Sequence, residues 1–229
     1  MKFEADVQSL LTKATKHAQT VGPQKVDGLA QGGAPLLQWL AHLKGSEDTG
    51  VATQLLFAVR SAIIETASSI ALGLARTSTF SLRAQIDLAL SWLYFKDHRI
   101  EWERVQDTGD GYKLKSEVVR YLEDHYARYK IRFGLLKQCA KRHELEPYRL
   151  LSAHVHGQSA QVTPKLEHLD DAVVPAAIDA CIEMQAAVAE YMGDVFLSCF
   201  GSKWASLPDD VLKSAQARLT AAQQKDVFS

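Results

Sequence analysis

The sequence predicts an all-α fold, an up-and-down antiparallel helical bundle with an N-terminal helical arm and a C-terminal amphipathic helix. Three observations carry that expectation. Apolar residues recur at three- and four-residue steps through nearly every long segment. No run alternates apolar and polar side chains as a half-buried strand does. Glycine and proline are sparse, 13 and 6 in 229 residues, so long uninterrupted helices are affordable to the chain.

In chain order, a first helix is expected over residues 3–18. Residues 21–35 then hold Gly22, Pro23, Gly28, Gly32, Gly33 and Pro35, the densest breaker cluster, which reads as a linker between an arm, 1–35, and a bundle, 36–206. A short helix over 36–43 stops near Gly45. Leu56, Val59, Ile63, Ala67, Ile70 and Leu74 form a stripe suited to burial. Thr77, Ser78, Thr79 and Ser81 offer capping hydroxyls, and 82–105 then carries apolar groups on most faces before Asp107-Thr108-Gly109-Asp110-Gly111, the mark of a central helix.

Leu122, Tyr126, Tyr129, Phe133, Leu136 and Ala140 alternate three and four apart, the seam of one long bundle helix. Ala177, Cys181, Met184, Val188, Tyr191 and Val195 repeat that pattern. A final amphipathic helix is expected within 207–229, after Leu207-Pro208-Asp209. Long helices with short joints make an up-and-down bundle the simplest way to bury these stripes.

Composition narrows the class. A chain 47% hydrophobic and 23% charged builds a globular core. A net charge of −1 excludes a uniformly basic nucleic-acid coat but leaves local patches open. Cys139, Cys181 and Cys199 are widely spaced with no Cys-x-x-Cys pair, which suits a reducing compartment. The opening Met1-Lys2-Phe3-Glu4 lacks the order of a signal peptide. Glu65 interrupts one apolar run, and Glu190 and Asp194 interrupt another, so no membrane span and a cytoplasmic location are expected. Neither a phosphate-cradling Gly-rich loop nor a Gly-x-Ser-x-Gly elbow is found.

Residues 148–157, Tyr-Arg-Leu-Leu-Ser-Ala-His-Val-His-Gly, are the one dense polar cluster. Arg149 and His156 are seven apart and return to nearly the same helix face, whereas His154 points elsewhere. A guanidinium can hold a phosphate by two charge-assisted hydrogen bonds. Imidazole, with an ordinary pKa of about 6.5, can move the proton of a ribose 2′-hydroxyl near neutral pH, a step that needs no metal. The bland alternative pairs Arg149 with Glu146 or Asp87 and makes the histidines helix-end caps. His154 and His156 lack further ligands at useful spacing, so no metal and no cofactor is expected.

Arg149 followed by His156, late in an antiparallel bundle, resembles the motif of the HEPN superfamily of bacterial defence and toxin-antitoxin proteins. Tyr148-Arg149-Leu150-Leu151-Ser152 with Val155-His156-Gly157 is similar to the Tyr-x-x-Leu-Ser-x-x-Val-His signature of its poorly characterised HEPN-like branches. Arg83, Asp87 and the apolar run after them resemble an upstream helix of those proteins. The likeness covers roughly residues 52–201. It implies a homodimer that joins two Arg-His motifs in one RNA-cutting cleft, with Arg149 on the scissile phosphate and His156 moving protons. Tyr148, Ser152, His154, Arg83 and Asp87 would shape the site.

A basic run adds candidate RNA contacts at Arg128, Lys130, Arg132, Lys137, Lys141 and Arg142, beside a solvated outer face as the plain alternative. The first functional expectation is therefore a metal-independent endoribonuclease, the RNA-directed effector of a defence or toxin-antitoxin system. The second, motivated by Leu150 where active members often place a polar residue, is a non-catalytic HEPN-like subunit that dimerises or docks a protein partner from a defence or antitoxin operon.

Overall fold

The structure, a computed structural model, describes residues 2–159, 162–163 and 165–229. The chain is an all-α helical bundle: eleven α-helices and no strand occur among the described residues. Helix α1 spans Lys2–Thr20 and α2 spans Gly22–Ser46, with only Val21 between them.

Residues 22–35 are thus helix, with Val21 alone as the joint, and not a linker, which corrects the sequence reading. Pro23 stands in the first turn, where its missing N–H costs nothing, and Pro35 removes a single donor from the interior. The glycines are contact points. A Cβ on Gly32 would lie 3.3 Å from the Ala186 Cβ, and one on Gly28 would lie 3.6 Å from the Ile182 Cγ2. Glycines four apart let the backbone of α2 approach the later helix α9, Ile178–Phe200, more closely than side chains would allow.

Helix α3, Thr53–Ala71, and helix α4, Ala75–Phe95, follow α2 through turns at 47–52 and 72–74, so the three run as antiparallel neighbours. The expected stripe on α3 packs inward, with Leu56, Val59, Ile63 and Ile70 buried. Helix α4 is central, burying Leu82, Ile86, Leu90, Trp92, Leu93 and Phe95. It stops at Phe95; residues 96–98 separate it from α5, Arg99–Thr108, so 82–105 is two helices where one was expected. Helix α5 ends on Gly109 at φ 74°, a left-handed stop that favours glycine.

The seam from Leu122 to Ala140 also divides. Helix α6, Lys115–His125, and helix α7, Tyr129–Gln138, are separated by Tyr126 in extended conformation and Arg128 at φ 66°. Helix α8 spans Pro147–His156, opened by its proline and closed by Gly157 at φ 58°. The C-terminal part forms two short helices instead of one, α10, Asp209–Gln216, and α11, Ala221–Val227. Thr220 caps the second, its hydroxyl accepting from the Gln223 amide while the Gln223 side chain returns to the Thr220 N–H.

Helix α9 is the hub, packed against α2, α4 and α7. The stretch Leu169–Ser206, which contains it, is long and apolar enough to cross a membrane by length and composition. Within the bundle it is a core helix that also buries polar groups. Gln185 and Gln85 exchange two amide hydrogen bonds of 2.8 Å, and Gln85 also donates to Thr66 at 3.0 Å. That exchange satisfies two buried amides and fixes the register of α3, α4 and α9 together.

Candidate functional site on helix α8

Proline at its start and left-handed glycine at its end make α8 a short rod of defined length. Arg149 and His156 sit on it two turns apart, about 10 Å along the axis, and differ by only about 20° around it. Both side chains are exposed, and neither makes a hydrogen bond or ion pair among the described residues.

The acids expected to neutralise Arg149 are engaged elsewhere. Glu146 accepts from Lys115 Nζ at 3.1 Å and Lys137 Nζ at 3.2 Å. Burial alone would raise the Glu146 carboxyl, but these two lysines hold it below its ordinary range. Asp87 pairs with Arg83 one turn away on α4. The plain reading of Arg149 as a structural ion pair therefore does not hold.

Arg83 is the brace of α8. Its guanidinium carbon lies 3.6 Å from the Tyr148 ring centroid, and its Nε donates to Ser152 Oγ at 3.0 Å. Burial pulls this guanidinium below its ordinary pKa while Tyr148 works the other way. Tyr148 also lies under Lys115, whose ammonium is 4.4 Å from the ring centroid. Tyr148 and Ser152 thus meet Arg83 on the flank of α8 that faces α4, and Asp87 reaches this group through its pair with Arg83.

His154 leaves that group. It lies on the opposite side of α8 and lines a cavity with Arg76, Leu151 and Cys181. Burial, followed by the nearby Arg76 charge, lowers its pKa from the ordinary 6.5. It does not join Arg149 and His156.

No family model, curated protein or solved structure matches the chain. What α8 can do is accordingly set by its own side chains.

The basic run is largely consumed within the fold. Arg132 is 2% exposed and donates to the carbonyls of Ala127, Ser198 and Ser229. Arg142 is 8% exposed and pairs with Asp194 at 2.6 Å and Glu190 at 3.1 Å. Neither is exposed enough to reach RNA, which corrects the expectation for both: Arg132 points inward from α7, and Arg142 is drawn inward from the α7–α8 connection by the α9 carboxylates. Arg128 pairs with Asp226, Lys130 with Glu123 and Lys137 with Glu146. Lys141 is exposed, with its backbone N–H bonded to Glu190 and its ammonium unpaired among the described residues.

The Arg142 contacts belong to a network that the sequence did not announce. Arg218, between α10 and α11, donates to Asp194 at 2.5 Å and to Glu190 at 2.9 Å. Burial pushes the Asp194 carboxyl above its usual range, with Arg218 and Arg142 pulling against it. Two guanidiniums and two carboxylates thereby tie the α7–α8 connection and the C-terminal helices to α9. Among the described residues, no group of three or more histidine, cysteine, aspartate or glutamate side chains could hold a metal ion.

Proposed function

We propose that the chain is a metal-independent endoribonuclease, an RNA-directed effector of a bacterial defence or toxin-antitoxin system that works as a homodimer. One observation supports the reading above others: Arg149 and His156 share an exposed helix face while Glu146 and Asp87 are committed to other cations. An unpaired guanidinium and an unpaired imidazole on one face fit a phosphodiester better than they fit a scaffold.

In this reading Arg149 holds two non-bridging phosphate oxygens and stabilises the charge that develops on them. His156 takes the 2′-hydroxyl proton as that oxygen attacks phosphorus. The P–O5′ bond breaks, leaving a 2′,3′-cyclic phosphate and a 5′-hydroxyl that needs a proton. His156 of a second copy, protonated, supplies it, which is the chemical reason to invoke a dimer. Arg83, Tyr148 and Ser152 hold α8 in place, and Lys141, exposed and with its ammonium unpaired among the described residues, is the cation of the basic run left to meet RNA backbone.

The test is incubation of the purified protein with RNA in EDTA, followed by end mapping. Cyclic phosphate ends that disappear in His156→Ala support the reading; intact RNA across structured and unstructured substrates overturns it. Leu150 favours a second reading, a non-catalytic HEPN-like subunit of a defence complex. It lines the cavity wall behind α8 and brings no polar group to the Arg149 face. Loss of assembly without any turnover in Arg149→Ala would select that alternative.

A further inference from the structure

The side of α8 away from Arg149 looks into a cavity of about 400 Å³ between α4, α8 and the beginning of α9. Small-molecule sites commonly measure about 300–1,000 Å³ and combine apolar walls with a few convergent polar groups. This cavity has that composition. Leu82, Leu151, Val174, Ala180 and Met184 supply the apolar wall, and among the described residues no aspartate or glutamate lines it.

Two nitrogen-bearing side chains enter the same space. Arg76, half-buried in the first turn of α4, lies over the Phe80 ring and makes one long hydrogen bond, from Nη1 to the Val162 carbonyl at 3.4 Å. Most of its five N–H donors are left uncommitted, and it has no carboxylate partner among the described residues. His154 faces it from α8 and makes no hydrogen bond among the described residues. A half-buried guanidinium beside an apolar pocket whose described lining holds no acidic side chain is open to an anion from outside the chain.

We propose that this cavity binds a small amphiphilic carboxylate, with its apolar body against Leu82, Leu151, Ala180 and Met184 and its carboxylate on Arg76 and His154. The head group follows from geometry and charge. One guanidinium presents a planar fork that matches two carboxylate oxygens, and His154 can donate one further hydrogen bond. A phosphate dianion would bring two negative charges to a single cation within apolar walls, leaving one uncompensated. Straight-chain and aromatic carboxylates share the required chemistry, and the inference does not depend on any RNA cleavage.

The experiment is calorimetric titration of the full chain with decanoate and, separately, 4-butylbenzoate, below micelle formation. Decanol and decylamine serve as head-group controls. Saturable one-to-one binding of at least one carboxylate is expected, with both controls about tenfold weaker or more, which is about 1.4 kcal/mol. Which carboxylate binds tighter reports whether the body is a chain or a ring. Arg76→Gln should weaken carboxylate binding about tenfold without changing its melting temperature substantially, and Ala180→Trp should abolish binding of both by filling the chamber. If Ala180→Trp fails to fold, Arg76→Gln alone decides. No saturable binding of either carboxylate, equal binding of decanol, or an Arg76→Gln titration identical to wild type overturns the proposal.

Discussion

The Arg83 guanidinium lies 3.6 Å from the Tyr148 ring centroid and simultaneously donates to Ser152 Oγ, so a single side chain of α4 grips α8 at two points one turn apart. A desolvated cation–π contact contributes about 2 kcal/mol, and a hydrogen bond from a charged donor about 1.5–3 kcal/mol, without simple additivity. Arg83→Ala should therefore lower stability by about 2–3 kcal/mol in urea unfolding. Arg83→Lys should recover little of it, because an ammonium cannot stack flat on the ring and keep the Ser152 bond together.

Arg149 and His156 should behave oppositely. Both are exposed without side-chain partners among the described residues, so Arg149→Ala and His156→Ala should each change stability by no more than about 0.5 kcal/mol. The RNA cleavage proposed above should nevertheless vanish in both. A large melting shift in either variant would mean that the side chain serves the bundle and not a substrate.

The ion network on α9 predicts the largest loss. Asp194 is fully buried between Arg142 and Arg218, so Asp194→Ala leaves two guanidiniums to share the Glu190 carboxylate and should cost about 3 kcal/mol. Arg142→Ala should cost less, since Arg218 remains to pair with the carboxylate. Lys141→Ala, one residue away in sequence and exposed, should be nearly neutral. Chemical denaturation of the three variants gives the ranking directly.

Glu146 provides a pH signature. Lys115 from α6 and Lys137 from α7 hold its folded-state pKa below the ordinary 4.5, against the effect of burial; the Glu144 carboxylate bonds the Glu146 N–H nearby. Because the folded value is depressed, the stabilisation is complete above pH 4.5 and is lost as pH falls through the folded value. Melting temperature measured from pH 6 downward should fall less steeply in Glu146→Gln than in wild type.

The helical class and the stripes of α3, α4 and α9 were legible because burial on one face imposes a period that no other element shares. The break between α6 and α7 was not. Leu122, Tyr129 and Leu136 keep their spacing through it, since both helices bury against the same core, and the change of direction at Tyr126 and Arg128 leaves no gap in the pattern. Arg132 consequently reads as surface charge when it is a buried anchor, and Arg142, past the end of α7, is buried only through carboxylates far along the chain on α9. At the site, the one-turn spacing of Arg83 and Asp87 and the shared face of Arg149 and His156 were readable from helix geometry alone. The cavity was not, because Arg76, His154 and Ala180 come from helices far apart in the chain.

The seam between α2 and α9 carries a consequence for how this protein can vary. A Cβ on Gly32 would meet the Ala186 Cβ at 3.3 Å, tighter than ordinary contact, so positions 32 and 186 share one small volume. Neither can grow unless the other shrinks or the helices move apart. The two positions, more than 150 residues apart in the chain, form a single heritable unit: Gly32→Ala alone is penalised, Ala186→Gly alone leaves slack, and the exchange of the two restores the fit. Among descendants of this sequence they are expected to change together.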